Sequence, residues 1–275
     1  MSKPTPRPSD SLKILLRGLK LPSFVAHLDE VVGRAEEQGW SFTQFLEHLC
    51  DQELVDRKER RIERLLKRSM LPHDKTLATL KTSRLPAPVR RRLQSLCEGD
   101  FVHGANNVLA FGLPGRGKSH VVAAIGHELV KRGVSVLFSP TYSIVERLLA
   151  AKRELALEKE LKRLDRFDVV ILDDIGYVQQ ERDEMEVLFT FLAERYERRS
   201  VMITSNLVFS KWDRIFKDPM ITAAAIDRLV HHAIILEMTG RSYRGDEAEK
   251  RNKRPPSKPK KGDGQSDSET EADPS

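Results

Sequence analysis

Apolar residues recur along the chain in two periods, and the change from one to the other divides it. Over residues 11–70 they fall at helical steps: Leu12, Leu15, Leu16 and Leu19 share one face. Pro22 restarts a helix that runs through Gln38 and ends at Gly39. Ser41 and Gln44 then form a capping box, with Trp40 and Phe45 placed to staple the entry of a long third helix from Phe42 towards Lys67. From Val108 the pattern becomes short apolar runs alternating with amphipathic stretches. The runs are Asn107–Phe111, Val134–Phe138, Val169–Leu172, Val201–Thr204 and Ala233–Leu236. Helices are expected at Ser119–Lys131, Thr141–Ala151, Glu184–Arg198 and Ile221–His231, with a charged helical stretch over Arg153–Arg166. Such alternation predicts an α/β fold with a parallel sheet covered on both faces.

The same pattern sets the domain organisation: a helical N-terminal domain over 11–70 and a main domain over 107–244. Between them, 71–106 reads as a linker and lead-in, because Pro72, Pro86 and Pro88 interrupt helices and only Val89–Leu96 suggests a short one. Residues 1–10 and 245–275 carry too few apolar side chains to offset their ordering entropy, so both are expected to be disordered. The second holds a Lys/Arg/Pro block and then a Ser/Asp/Glu block; its basic part reads equally as a loose hold on DNA or a solubilising tail.

Composition changes this picture modestly. The 275 residues carry a formal charge of +6, a lean towards a polyanionic partner. No apolar run is long enough to span a bilayer, and residues 1–10 lack a signal-peptide core. Cys50 and Cys97 have no C-x-x-C or His companions and read as reduced thiols of a cytoplasmic protein, not as a zinc site or disulfide framework.

The candidate chemistry centres on Gly112-Leu113-Pro114-Gly115-Arg116-Gly117-Lys118-Ser119, followed by His120, between the first strand and the first helix of the main domain. This is the G-x-x-x-x-G-K-[ST] spacing of a P-loop in its required strand–loop–helix context. Its glycines let backbone N–H groups surround a phosphate, Lys118 reaches the β/γ-phosphates, and Ser119 offers a hydroxyl to Mg²⁺. Asp173 ends a buried strand on the same edge and suits the metal, and Asp174 could activate the attacking water. A strand–helix–strand passage centred on Val134–Phe138 separates the P-loop strand from the Asp173 strand in sequence, which leaves room for Val201–Thr204 between them in the sheet. Asn206, at the tip of that strand, would then face both γ-phosphate and water.

Two surfaces remain open. Arg57, Arg60, Arg61, Arg64, Lys67 and Arg68 recur at three- and four-residue steps on the third helix, interleaved with Glu53, Asp56, Glu59 and Glu63. They read either as a solvated helix laced with ion pairs or as a basic ridge against a phosphate backbone. Arg228, beside Asp227, has an ion pair as its plain reading.

Gly112–Ser119, Asp173-Asp-Ile-Gly-Tyr177, Arg195-Tyr-Glu-Arg198, Thr204-Ser-Asn-Leu207, Lys211-Trp-Asp213, Asp227-Arg-Leu-Val-His-His232 and Gly240-Arg-Ser-Tyr-Arg244 together resemble the IstB-type helper ATPases of insertion sequences. The resemblance covers roughly residues 12–244, and departs where Leu113 and Arg116 replace the family's usual Pro and Thr. It implies an AAA+ P-loop three-layer αβα sheet of the ASCE type, in the DnaA/DnaC-like branch. It also implies ATP-dependent self-assembly, non-sequence-specific binding of double-stranded DNA, and partnership with a transposase. By resemblance Asn206 is a sensor-1 residue, and Arg228 an arginine finger reaching the ATP of a neighbouring protomer in a homo-oligomer with shared sites. Arg241 and Arg244 are candidates at the nucleotide. The runner-up is a DnaC-like replicative helicase loader, whose N-terminal helices would grip a helicase instead of DNA.

Overall fold

The computed structural model describes residues 8–175, 182–207, 211–212, 219–239 and 242. Three helices come first: α1 (Pro8–Gly18), α2 (Pro22–Gln38) and α3 (Phe42–Ser69). The helix starting at Pro8 includes the last three residues of the lead expected to be disordered. Gly39 ends α2 at φ 63°, and the Ser41–Gln44 capping box is present at the head of α3. Leu16, Phe24, Leu28, Val31 and Leu49 form a small core, with Trp40 and Phe45 packed against it. Glu53 of α3 sits under that core and accepts from the Ser23 N–H at 2.9 Å and from Arg57 Nε at 2.7 Å. Burial pushes its carboxyl up, but Arg57 and both the amide and hydroxyl of Ser23 outweigh this and hold it below the ordinary carboxylate range.

Five parallel strands follow: β1 (Asn107–Phe111), β2 (Val136–Pro140), β3 (Val169–Asp173), β4 (Ser200–Ser205) and β5 (Ala233–Glu237), in the order β2-β3-β4-β1-β5. β4 lies between β1 and β3, as the crossover predicts. Successive side chains of each strand point to opposite faces. Val108, Ala110, Ile171 and Met202 face a core shared with α4 (Ala87–Glu98), α5 (Asp100–His103) and α6 (Lys118–Lys131). Leu109, Val170, Leu172 and Ile203 face a second core, with α7 (Thr141–Arg153), α8 (Leu157–Leu164), α9 (Arg182–Arg195) and α10 (Pro219–Val230). The result is a three-layer αβα body built on a five-stranded parallel sheet.

Three boundaries differ from expectation. β2 begins at Val136, not Val134, because the Val134 N–H closes the end of α6 on Leu129 O at 3.0 Å. The stretch expected as one helix over 153–166 is broken at Leu155, whose φ is +56°, and resumes only at Leu157. Residues 71–106 do not run free: Leu71, Leu80, Leu85, Val89, Leu93, Leu96 and Phe101 are buried in the core beneath α6. His127 Nε2 lies 3.0 Å from Pro72 O, which ties the same stretch to that helix.

Helix α3 joins the two parts. Its 28 residues span about 42 Å at 1.5 Å per residue. Its first half packs in the N-terminal core, whereas Ile62, Leu65 and Leu66 pack on the sheet core. The other buried anchor is Arg195, 2% exposed, whose guanidinium donates to the carbonyls of Leu164, Phe167, Asp168 and Ser200 at 3.0–3.2 Å. Burial pushes its pKa down to about 10, with Asp165 partly countering. It pins the entries of β3 and β4 together.

Candidate functional site: the carboxyl edge of the sheet

The P-loop leaves β1 at Gly112 under tight constraint. A Cβ there would meet Met238 O at 2.4 Å, because Met238 N–H donates to Phe111 O at 2.7 Å and draws the end of β5 across the loop. Only glycine fits such an approach. Gly115 and Gly117 have φ of 76° and 85°, and Gly117 caps α6. The first turn of α6 contains no acidic residue, so its N–H groups and dipole favour an anion. Lys118 is buried, with Nζ donating to Gly112 O at 2.7 Å and Leu113 O at 3.2 Å. Ser119 follows in the first turn and is half-buried. Leu113 and Pro114 are exposed and Arg116 is half-buried; no contact among the described residues explains the arginine.

Three strand ends converge beside this loop. Phe111 of β1 is opposite Ser205 of β4, and the Gly112 N–H donates to Ser205 O at 3.2 Å. On the other side of β4, Thr204 Oγ1 donates to Asp173 Oδ1 at 2.6 Å and accepts from the Asp174 N–H at 2.8 Å. Asp174 is held with φ +64°, a left-handed conformation that costs roughly 1–2 kcal/mol outside glycine. The Thr204 bond, and the fully buried Ile175 after it, fix that conformation. Thr141 Oγ1 adds a third restraint by donating to Asp173 O at 3.0 Å.

Asn206 extends from β4 directly beyond the Ser205–Gly112 contact. Its Oδ1 is buried with no hydrogen-bond partner among the described residues, although buried amide oxygens are almost always bonded. A positively charged loop, a carboxylate and an unsatisfied amide oxygen on one edge fit a nucleotide triphosphate and its divalent cation. Trp212 is fully buried behind them, its Nε1 donating to Leu207 O at 3.2 Å and its ring 6.2 Å from Phe111. Thr204 and Thr141 are missed by sequence reasoning, because Thr204 in a strand reads only as a β-former and Thr141 only as the start of a helix. His120 turns away from the loop: its Nε2 lies 3.2 Å from Thr79 Oγ1 and 3.1 Å from Thr76 O. It fastens the 76–79 turn to the base of the P-loop helix.

Arg228 is at the other end of the sheet. Asn107, the first residue of β1, donates from Nδ2 to Leu229 O at 3.2 Å and from its N–H to His232 O at 2.9 Å. The five residues of β1, roughly 16 Å, separate this end from the P-loop. The Arg228 guanidinium stacks 4.9 Å over the Phe189 ring, and its Nη1 is buried with no hydrogen-bond partner among the described residues. Neither is it ion-paired with Asp227 among them. Gly176, Tyr177, Asp213, Gly240, Arg241, Tyr243 and Arg244 lie outside the described residues.

The ridge on α3 is engaged by its own fold. Arg57 and Arg60 both pair with buried Glu53, Arg57 also donating to Lys20 O and Arg60 to Ser23 Oγ. Arg61 donates to Gly133 O at 3.1 Å, Arg64 donates to Arg60 O at 3.2 Å, and Arg68 stacks over Phe167. Arg64 and Lys67 keep their charged ends on the exposed side.

Comparison with known proteins places these features together. The family model described as IstB-like ATP binding protein matches residues 14–252. An insertion sequence ATP-binding protein of Sinorhizobium fredii is 44% identical over 85% of this chain and 78% of its own length. The insertion sequence IS21 ATP-binding protein of Pseudomonas aeruginosa is 36% identical over 87% of this chain and 90% of its own. In fold, the chain is similar to AMPPCP-bound DnaA from Aquifex aeolicus, with a TM-score of 0.53 and 17% identity over 67% of this chain and 56% of that one. No helix among the described residues is long and apolar enough to cross a membrane.

Proposed function

The chain belongs to the IstB-like ATP-binding protein family, and from that premise we propose that it is an ATP-dependent, DNA-binding helper of transposition. With ATP it assembles on double-stranded target DNA without sequence preference and recruits or activates a partner transposase. Hydrolysis resets the assembly.

In this reading Gly112–Ser119 form the phosphate loop, and Lys118 exchanges its two carbonyl bonds for phosphate oxygens. Ser119 and Asp173 hold Mg²⁺, which supplies charge neutralisation on the β- and γ-phosphates. Asp174 takes a proton from the attacking water, and Asn206 orients that water through the amide oxygen that has no partner among the described residues. Thr204 positions the Asp173 carboxylate and the Asp174 main chain through its paired bonds. Arg228 stabilises charge on the γ-phosphate of the neighbouring protomer. Arg64 and Lys67 contribute part of the DNA-facing charge.

The observation that carries this is the separation within one chain: the P-loop lies at one end of β1 and Arg228 at the other. A guanidinium so placed cannot serve its own triphosphate and is suited to a second copy's. Electron microscopy of the protein with ATP and plain duplex DNA tests the proposal. Ordered protein assemblies on duplex are expected. A protein that stays monomeric and off the duplex with saturating nucleotide would point to the helicase-loader reading instead.

A further inference from the structure

Beyond the end of α9 and just after α10, Glu197, His231 and His232 each present one donor atom, and all three atoms lie within 4.8 Å of one another. The two imidazole rings lie 4.1 Å apart, centroid to centroid, and are tilted at 58° to each other. His232 Nε2 stands 3.8 Å from Glu197 Oε1, too far for a hydrogen bond. That spacing is close to the roughly 3.4 Å kept by two ligands of one tetrahedral ion with bonds near 2.0–2.1 Å.

Two features show that the cluster is arranged. Glu197 sits at φ +56°, a left-handed conformation that is uncommon outside glycine and that the surrounding structure must hold. The Tyr196 hydroxyl lies 3.1 Å from His231 Nδ1 and sets the orientation of that ring, the kind of support that metal-binding imidazoles receive. Two nitrogens and one carboxylate oxygen suit Zn²⁺ or Co²⁺ and disfavour Mg²⁺ and Ca²⁺, which take oxygen ligands.

We propose that Glu197, His231 and His232 form a three-ligand site for a transition-metal ion of the Zn²⁺ or Co²⁺ class, with a fourth position open to water or to a donor from another molecule. The ion joins the turn after α9 to the residues after α10. Those two helices carry Phe189 and Arg228, so a bound ion fixes the support on which the Arg228 guanidinium rests. That consequence depends on the shared-site reading above; ion binding itself does not.

The test uses the full chain without a polyhistidine tag, titrated with Co²⁺ under visible absorption and with Zn²⁺ by calorimetry. One equivalent is expected to bind with micromolar or tighter affinity. His232→Ala and Glu197→Gln should each weaken it at least tenfold, and Tyr196→Phe by about tenfold as a positioning change. His73→Ala, at an exposed histidine outside the cluster, should leave it unchanged. Saturating Zn²⁺ should raise the melting temperature of the parent protein but not of a His231→Ala/His232→Ala double variant. Binding no tighter than about 1 mM, or undiminished binding in the double variant, would overturn the site. Tight binding that leaves ATP hydrolysis by the assembled protein unaltered would retain the site and remove its link to Arg228.

Discussion

At the carboxyl end of the sheet, the tips of β1, β3 and β4 are tied to one another by bonds of 2.6–3.2 Å through Thr204, Asp173, Asp174, Ser205 and Gly112. At the amino end, Arg228 rests on one aromatic ring and has a buried nitrogen with no bond among the described residues. The first end is organised before any ligand arrives. At the second, aromatic packing holds the guanidinium in place. Within one chain the two ends are separated by the five residues of β1, roughly 16 Å. Under the shared-site reading proposed above, the difference makes assembly and hydrolysis one problem, since the contact that builds a neighbour pair would also complete the ATP site.

Substitutions can break the two ends separately. The largest effect is expected at Arg228→Ala, which should lower ATP turnover by about 10³-fold while the affinity for ATP, measured by fluorescent-analogue binding, stays within about threefold of the parent. Lys118→Ala removes the buried amine from the first end and should weaken ATP binding at least ~100-fold, on the order of 3 kcal/mol. Thr204→Val keeps the strand but frees the Asp173 carboxylate and the Asp174 N–H. Turnover should fall about tenfold with little change in nucleotide affinity, since the groups are displaced, not lost. Equal losses in both quantities would show that Thr204 supports the fold and not the chemistry.

The α3 region sharpens the comparison from outside the sheet. Glu53→Ala leaves Arg57 and the Ser23 amide without their acceptor and should destabilise the N-terminal helices by about 2–3 kcal/mol in chemical denaturation. Because the Glu53 carboxyl is held below the ordinary range, its contribution is full at neutral pH and is lost as pH falls through that depressed value. The parent's advantage over Glu53→Gln should therefore shrink in acid; a constant gap would show that the charge is irrelevant. The smallest effect is at Lys67→Ala, which should reduce the salt slope of duplex binding by about one unit.

Much of the body was readable in the chain because its signals are local. The apolar runs of β1, β3 and β4, the glycines of the loop, and the Ser41–Gln44 box each act over a few residues, and the position of β4 follows from a single crossover. What escaped depends on contacts between distant segments. Leu71, Leu80 and Leu85 have no period of their own and become core only when they meet α6. Arg57 and Arg60 look like surface charge until Glu53 is seen to be buried beneath them. His120 follows the P-loop in sequence yet serves the 76–79 turn, and Thr204 gains its role only because β3 lies alongside.

The shared site is tested most directly by mixing two inactive proteins. Lys118→Ala protein retains Arg228 but not ATP, and Arg228→Ala protein retains ATP but not the guanidinium. Combined on duplex DNA with ATP, they should recover a measurable part of the parent's hydrolysis, because some neighbour pairs place an intact loop against an intact Arg228. A mixture that hydrolyses no more ATP than the sum of its two components would contradict the account.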